Sequence, residues 1–137
     1  GLGKAHLVKP TGETVVLDAQ SVLFAKISSK IAIATESGSV MTFDFSGKKE
    51  WERPKRGEVG ERITAIGWDN DCLVVAREGH GLVPGDEEAL EVEYWISGTL
   101  KNRIDVKNRI VAIDGPWMGL DMGGVMFGEN IVFEIQN

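Results

Sequence analysis

The sequence has few cysteines and histidines and no long apolar run. These absences exclude internal disulfides, zinc sites and membrane spans. Its 137 residues include one cysteine, Cys72, which cannot form an internal disulfide, so nothing indicates an oxidising compartment. The only histidines, His6 and His80, have no cysteine or second histidine at a zinc-binding spacing. No apolar run approaches the roughly 18 residues needed to span a bilayer, and no signal-peptide pattern is present. We therefore expect a cytoplasmic protein that does not bind membranes.

Basic residues are outnumbered by acidic ones. The 15 Lys and Arg residues stand against 21 Asp and Glu residues, which gives a formal net charge of −6. Because affinity for a phosphate backbone comes from clustered Lys and Arg, this balance argues against a nucleic-acid partner. The hydrophobic fraction of 42% is ordinary for a soluble globular domain, so we expect a real core.

Catalytic and cofactor motifs are missing as well. No Gly-x-Ser-x-Gly elbow is present, and the Ser-Gly-Ser of residues 37–39 lacks the strand-to-helix context of a nucleophilic serine. The glycines of residues 119–128 precede no helix start, so a phosphate-binding loop is not indicated. We identify no catalytic, cofactor-binding or metal-binding set and expect no cofactor. A non-catalytic role is favoured over an enzyme, without being decided.

What the sequence does contain is a strand–turn–strand motif that recurs at a blade-sized interval. Residues 43–51 read FDFSGKKEW and residues 94–100 read YWISGTL, with the turn glycines Gly47 and Gly98 lying 51 positions apart. In a second register, RITAI at 62–66 recurs as RIVAI at 109–113, 47 positions later. Repeats of this length that are built from strands indicate propeller blades. Because the spacing between repeats differs from one motif to the other, the strands recur and the loops between them vary in length.

The predicted fold class is all-β, with antiparallel four-stranded blades in a partial, about three-blade, propeller-like array. We assign one domain or fragment over residues 1–137, with units at about 1–17 (partial), 21–53, 62–106 and 109–137 (partial). The last unit shows three strands, which makes about 13 in all and leaves that unit one strand short. The chain begins Gly-Leu-Gly, which indicates a processed start, a tag remnant or a segment of a longer polypeptide.

Around residues 43–51 the sequence resembles the pyrroloquinoline-quinone-like (quinoprotein-type) repeat of β-propellers, in which Asp ends a strand, a Ser-Gly turn follows and Trp closes the next strand. Asp44, Gly47 and Trp51 fit this pattern, whereas Trp95 takes the aspartate position in the second unit. Proteins with such repeats include cofactor-dependent dehydrogenases and non-enzymatic scaffolds, and the single Cys72 excludes the vicinal cysteine pair of the dehydrogenases. WD-repeat propellers are less similar, because Trp68-Asp69 precedes the Gly-His pair at residues 79–80.

Two features are candidates for binding a protein partner. The first is the long loop of residues 79–89, because insertions on one face of a repeat protein commonly bind partners; its candidate contact residues are His80, Asp86, Glu87 and Glu88. The second is the set of four tryptophans near strand ends, for which core packing is the simpler reading. Trp95 and Trp117 are the two that we expect to act as exposed anchors.

Because three blades are fewer than the four or so of the smallest closed propellers, the array requires a partner, a second copy, a longer chain or an open sandwich-like stack. Our leading hypothesis is a non-catalytic protein interaction and assembly module that self-associates or holds a protein partner. The alternative is a ligand-binding accessory domain of a larger enzyme, in which His80, Asp86 and Glu87 would cluster inward around a pocket.

Overall fold

The computed structural model describes residues 4–54, 62–79, 90–128 and 130–133, the last group by its backbone. Within these ranges the chain forms 14 β-strands and no helix. The strands make one two-stranded hairpin and three four-stranded sheets, each antiparallel and each with its strands in chain order. The predicted fold class of antiparallel four-stranded units is confirmed.

Short turns join most of the strands within each sheet. The hairpin consists of β1 (Ala5–Val8) and β2 (Thr14–Leu17). The first sheet contains β3 (Val22–Ile27), β4 (Ile31–Thr35), β5 (Val40–Phe43) and β6 (Lys49–Arg53). The second contains β7 (Arg62–Asp69), β8 (Cys72–Glu78), β9 (Leu90–Ile96) and β10 (Thr99–Asp105). The third contains β11 (Ile110–Asp114), β12 (Trp117–Leu120), β13 (Val125–Phe127) and β14 (Asn130–Phe133).

The four units are stacked face to face in chain order, and three apolar clusters fill the spaces between them. One cluster joins the hairpin to the first sheet, the next joins the first sheet to the second, and the last joins the second to the third. Strands β4 and β8 are buried on both faces, and residues 31–34 and 72–76 within them consequently form continuous apolar runs. The hydrophobic effect of these three clusters is what holds separate sheets in one array.

The first strands of the three sheets pack against one another, β3 on β7 and β7 on β11. Gly67 on β7 permits a close approach of β7 to β11, because a Cβ added there would lie 2.5 Å from the carbonyl oxygen of Ile113 on β11. Trp68 also connects all three sheets: its indole N–H donates to the carbonyl of Lys26, and its own carbonyl accepts from Gly115. The sheets are therefore closest together along their first strands.

The Asp44 side chain explains the Ser-Gly turn of the repeated motif. Its carboxylate accepts hydrogen bonds from the Ser46 hydroxyl and from the backbone N–H groups of Ser46 and Lys48, at 2.6 to 3.0 Å. These bonds, chiefly the one from the hydroxyl, hold the pKa of Asp44 below its ordinary value. Gly47 follows with φ of +91°, a left-handed conformation that glycine adopts without strain.

The prediction that the last unit is one strand short is wrong. β12 follows the tight turn of residues 114–116 directly and pairs with both β11 and β13, which completes a four-stranded sheet. Only Met118 and Leu120 of its four residues are buried, and Gly119 between them weakens the alternating pattern. A strand this short, following Gly and Pro, has the sequence signature of a turn.

Candidate functional site

The structure separates the two tryptophans that the sequence singled out as exposed anchors. Trp95 on β9 is only 9% exposed, so it is a core side chain and not a surface anchor. Trp117 on β12 is 48% exposed and remains a candidate contact residue. The other four predicted contacts, His80, Asp86, Glu87 and Glu88, lie outside the described residues.

Trp117 belongs to an apolar patch on the outer face of the third sheet. It pairs in register with Phe127 on β13, and the two rings meet edge to face with centroids 4.9 Å apart. Phe127 is 45% exposed, and Val111 on β11 is exposed to a similar degree. We call Trp117 and Phe127, whose rings are in contact, the third-sheet patch. Exposed apolar side chains grouped in this way mark surfaces that other proteins cover.

The third-sheet patch lies on the side of the sheet that the first two sheets use to receive a neighbour. On β4, Ile31 and Ile33 face the hairpin, whereas Ala32 and Ala34 face the second sheet. On β8 the alternation repeats: Leu73 and Val75 face the first sheet, whereas Val74 and Ala76 face the third. On β12, Met118 and Leu120 face the second sheet, so Trp117 and Gly119 point to the opposite side.

A second feature is a cleft of about 360 Å³ at the strand ends between the first and second sheets. Trp51 and Trp95 form part of its lining and stack on each other, with ring centroids 5.3 Å apart and planes inclined by 23°. Trp68 and Leu73 also line the cleft. We call this space the tryptophan cleft.

Charged groups surround the tryptophan cleft. The ammonium of Lys30 lies 2.7 Å from a carboxylate oxygen of Glu50, and both residues line the cleft. This pairing, chiefly through its hydrogen bond, raises the pKa of Lys30. Asp71 also lines the cleft, and in the part of the chain that the structure describes it has no ion pair. The three charged groups therefore sum to one negative charge.

Behind the stacked tryptophans lies a buried ion-pair network centred on Glu93, which is 0% exposed. Its two carboxylate oxygens lie 2.6 Å from Arg77 Nε and 2.8 Å from Arg53 Nη1, and the Trp95 indole N–H donates to the first of them. Arg77 also donates to the carbonyl of Gly38, which ties the second sheet to the first. Burial raises the pKa of Glu93, but the two arginines outweigh it and hold that pKa below its ordinary value.

This network was not predicted from the sequence. Arg77 continues the apolar run of β8, where a charged residue on a strand buried on both faces signals a paired charge. Its partner could not be read from the sequence, because Glu91 lies directly opposite Arg77 in the register and Glu93 lies diagonally. A similar pair of contacts joins buried Glu78 to Arg62 and Arg109, at 2.7 and 2.6 Å.

The described ranges contain neither a set of side chains placed to bind a metal ion nor a helix suited to cross a membrane. No group of three or more His, Cys, Asp or Glu side chains there is placed to hold a metal ion. Across residues 4–54, 62–79, 90–128 and 130–133, no helix has the length and apolarity to cross a membrane.

Comparison with known proteins identifies the fold. No protein-family model and no curated protein sequence matches the chain. The WD40 domain of Neurospora crassa Pan2 matches with a TM-score of 0.60 and 18% identity, covering 93% of this chain and 45% of that one. BamB from Moraxella catarrhalis matches with a TM-score of 0.57 and 16% identity, covering 88% and 33%. The β-propeller domain of Myceliophteria thermophila Cps50 (Swd1) gives 0.51 and 16%, covering 81% and 36%.

These likenesses, all below 20% identity, show the fold alone. The three four-stranded sheets are blades of a β-propeller, and the predicted partial propeller is confirmed. The chain spans between a third and just under a half of the length of these structures. A closed propeller has about four to eight blades, so a ring that contains these three needs blades from outside the described residues.

Proposed function

We propose that this chain is a non-catalytic protein interaction and assembly module, and that the third-sheet patch binds its partner. The observation that carries the proposal is the position of Trp117 and Phe127 on the side of the sheet where the first two sheets each receive a neighbour. Aromatic side chains in such a patch are the anchors that protein interfaces use most. The net charge of −6 supports a protein partner over a nucleic acid.

The side chains that pack between neighbouring blades indicate what kind of surface the partner presents. The receiving side of the first blade accepts Leu73 and Val75 from β8, and that of the second accepts Met118 and Leu120 from β12. By the same rule, the third-sheet patch receives a β-sheet that presents aliphatic side chains. We propose that a second copy of this chain supplies it.

The hairpin offers the matching surface. Its side facing the first blade is covered, and the opposite side exposes Val8 and Val16, at 67% and 53%. Docking of this side on the third-sheet patch of another copy would continue the stack of sheets in the same order. Such a contact is head-to-tail, because it joins two different surfaces, and it closes into a ring where the rotation from copy to copy completes a full turn.

The test is solution mass by light scattering over a range of protein concentrations. Wild-type chains are expected to exceed the monomer mass of 14.9 kDa as concentration rises. Trp117→Ser and Val16→Ser are each expected to remain monomeric. Leu100→Ser, which alters a similarly exposed leucine on the second blade, is the matched control and should associate normally.

Mixing the two defective variants distinguishes this arrangement from a symmetric interface. A mixed pair of Trp117→Ser and Val16→Ser chains retains one junction in which both surfaces are wild type, so the mixture should recover part of the association that neither variant shows alone. Wild-type chains that stay at 14.9 kDa at every concentration would overturn the proposal of a second copy.

Two finer predictions stay proposals. The quinoprotein-type character of the repeat is supported by the Asp44–Ser46 turn and by Trp51, which follows it. The alternative function, a ligand-binding accessory domain of a larger enzyme, depends on residues 80–88, which lie outside the described part of the chain.

A further inference from the structure

The tryptophan cleft combines three indole rings with the charged side chains of Lys30, Glu50 and Asp71. Three indole rings meet at one end of the first two sheets and line this cleft, whose volume of about 360 Å³ leaves room for a small group. Trp68 is held in place by its hydrogen bond to Lys26, and Trp51 and Trp95 by their mutual stacking. Trp51 and Trp68 offer a pre-formed apolar surface to the cleft. Trp95 contributes less, because it is only 9% exposed, stacks on Trp51 and has the guanidinium carbon of Arg53 5.5 Å from its ring centroid.

We propose that the tryptophan cleft binds a methylated ammonium group carried by a partner molecule. The faces of indole rings carry negative electrostatic potential and attract cations more strongly than other aromatic rings do. Asp71 at the edge of the cleft has no ion pair among the described residues and adds a second attraction. An ammonium with methyl groups suits the site because it combines positive charge with an apolar surface that is weakly hydrated.

Lys30 is the internal competitor for this site. Its ammonium neutralises Glu50 at 2.7 Å and contributes a positive charge to the same cleft. Removal of the Lys30 charge would free the Glu50 carboxylate and leave two negative charges beside the rings. The proposal therefore predicts that a variant without the Lys30 charge binds the cation more tightly than the wild type. A purely structural role of these residues predicts no such gain.

The first experiment compares two probes of nearly the same shape, choline and the neutral 3,3-dimethyl-1-butanol. Each is titrated through the millimolar range at constant ionic strength, and tryptophan fluorescence reports binding. The Trp117→Phe protein is used throughout, because it removes the one tryptophan that lies outside the cleft. Choline should bind about 3- to 30-fold more tightly than the neutral alcohol.

The second experiment changes the charges around the cleft in this same protein. Asp71→Asn should weaken choline binding about two- to fivefold, and Lys30→Gln should strengthen it by a similar factor. The matched controls are Asp105→Asn and Lys101→Gln on β10, which change the net charge equally at exposed positions outside the cleft and should leave binding unchanged.

Three results would overturn the inference. Equal affinity for choline and the neutral alcohol would show an apolar site with no preference for a cation. Failure of choline to change the fluorescence would show that the cleft does not bind it. An effect of the control substitutions as large as those of Asp71→Asn and Lys30→Gln would show a response to overall charge alone.

Discussion

Trp51 and Trp95 stack across the junction of the first two blades, with ring centroids 5.3 Å apart. The turn after Trp95 makes room for this contact, because a Cβ added at Gly98 would lie 3.0 Å from Cγ of Trp51. Gly98 also has φ of +81°, a conformation that glycine adopts without strain. The Ser-Gly turn of one repeat therefore accommodates the closing tryptophan of the repeat before it.

Replacement of Trp51 tests the contribution of this stack to stability. Trp51→Leu should lower the free energy of unfolding by about 2–3 kcal/mol, because it removes a stacked, half-buried ring. Urea denaturation followed by circular dichroism at low protein concentration measures the change. Trp117→Leu, at an exposed site, should change the free energy by less than about 0.5 kcal/mol. Equal losses in the two variants would contradict the assignment of Trp51 to the blade junction.

Gly67 tests the approach of the second and third blades. Gly67→Ala should destabilise the protein by about 1–3 kcal/mol or more, because its Cβ would lie 2.5 Å from the Ile113 carbonyl oxygen and force the strands apart. Gly119→Ala is the matched control, since its Cβ would make an ordinary contact at 3.6 Å with Ala112. Thermal unfolding should show a lower midpoint for the first variant only. A midpoint for Gly67→Ala at or above that of the wild type would contradict the packing described.

Glu93 makes the stability of the protein depend on pH. Its pKa in the folded state lies below the ordinary value of about 4.3, so its stabilising contribution is present above that pH and is lost as the pH falls through the folded pKa. At neutral pH, Glu93→Gln should cost about 3–5 kcal/mol, because it leaves the buried charge of Arg77 without its carboxylate.

The difference in unfolding free energy between wild type and Glu93→Gln should shrink as the pH is lowered below about 4.3. Urea denaturation at a series of pH values measures it. Glu36→Gln, at an exposed turn residue, is the control and should show little difference at any pH. A constant gap between wild type and Glu93→Gln down to the acid limit of the folded state would contradict the ionised network.

Cys72 should react slowly with thiol reagents. Burial, followed by the negative charges of Asp69 and Asp71, raises the pKa of its thiol, and the thiolate is the reactive form. At pH 8 the alkylation rate in the native protein should fall below the rate in urea, and Asp71→Asn should raise the native rate. A native rate equal to the rate in urea would contradict the environment described for Cys72.

Much of the blade architecture could be predicted from the sequence, because strands and tight turns are encoded locally. The Ser-Gly turns at residues 46–47 and 97–98 predicted the hairpins that the structure contains. β12 escaped prediction, because Gly119 interrupts its alternation and only four residues form it. A strand can thus be predicted where its alternating apolar pattern is long, and the pattern is ambiguous where it is short.

The candidate site could be predicted far less well, because it depends on contacts between sheets. An alternating strand shows that Trp95 lies on one face but not whether another sheet covers that face. The ion pair of Arg77 with Glu93 depends on the register of β8 and β9, and the tryptophan cleft depends on two blades meeting. Trp117 was predicted as a contact residue. It is exposed, and its contact with a partner stays a prediction.

The central claim, that the third-sheet patch is the association surface, is tested most directly by fluorine NMR of protein labelled with 5-fluorotryptophan. The four tryptophans give four resonances, and Trp117→Phe identifies that of Trp117. With rising protein concentration, the Trp117 resonance should shift or broaden while those of Trp51, Trp68 and Trp95 stay fixed. A Trp117 resonance that does not change with concentration would contradict the account.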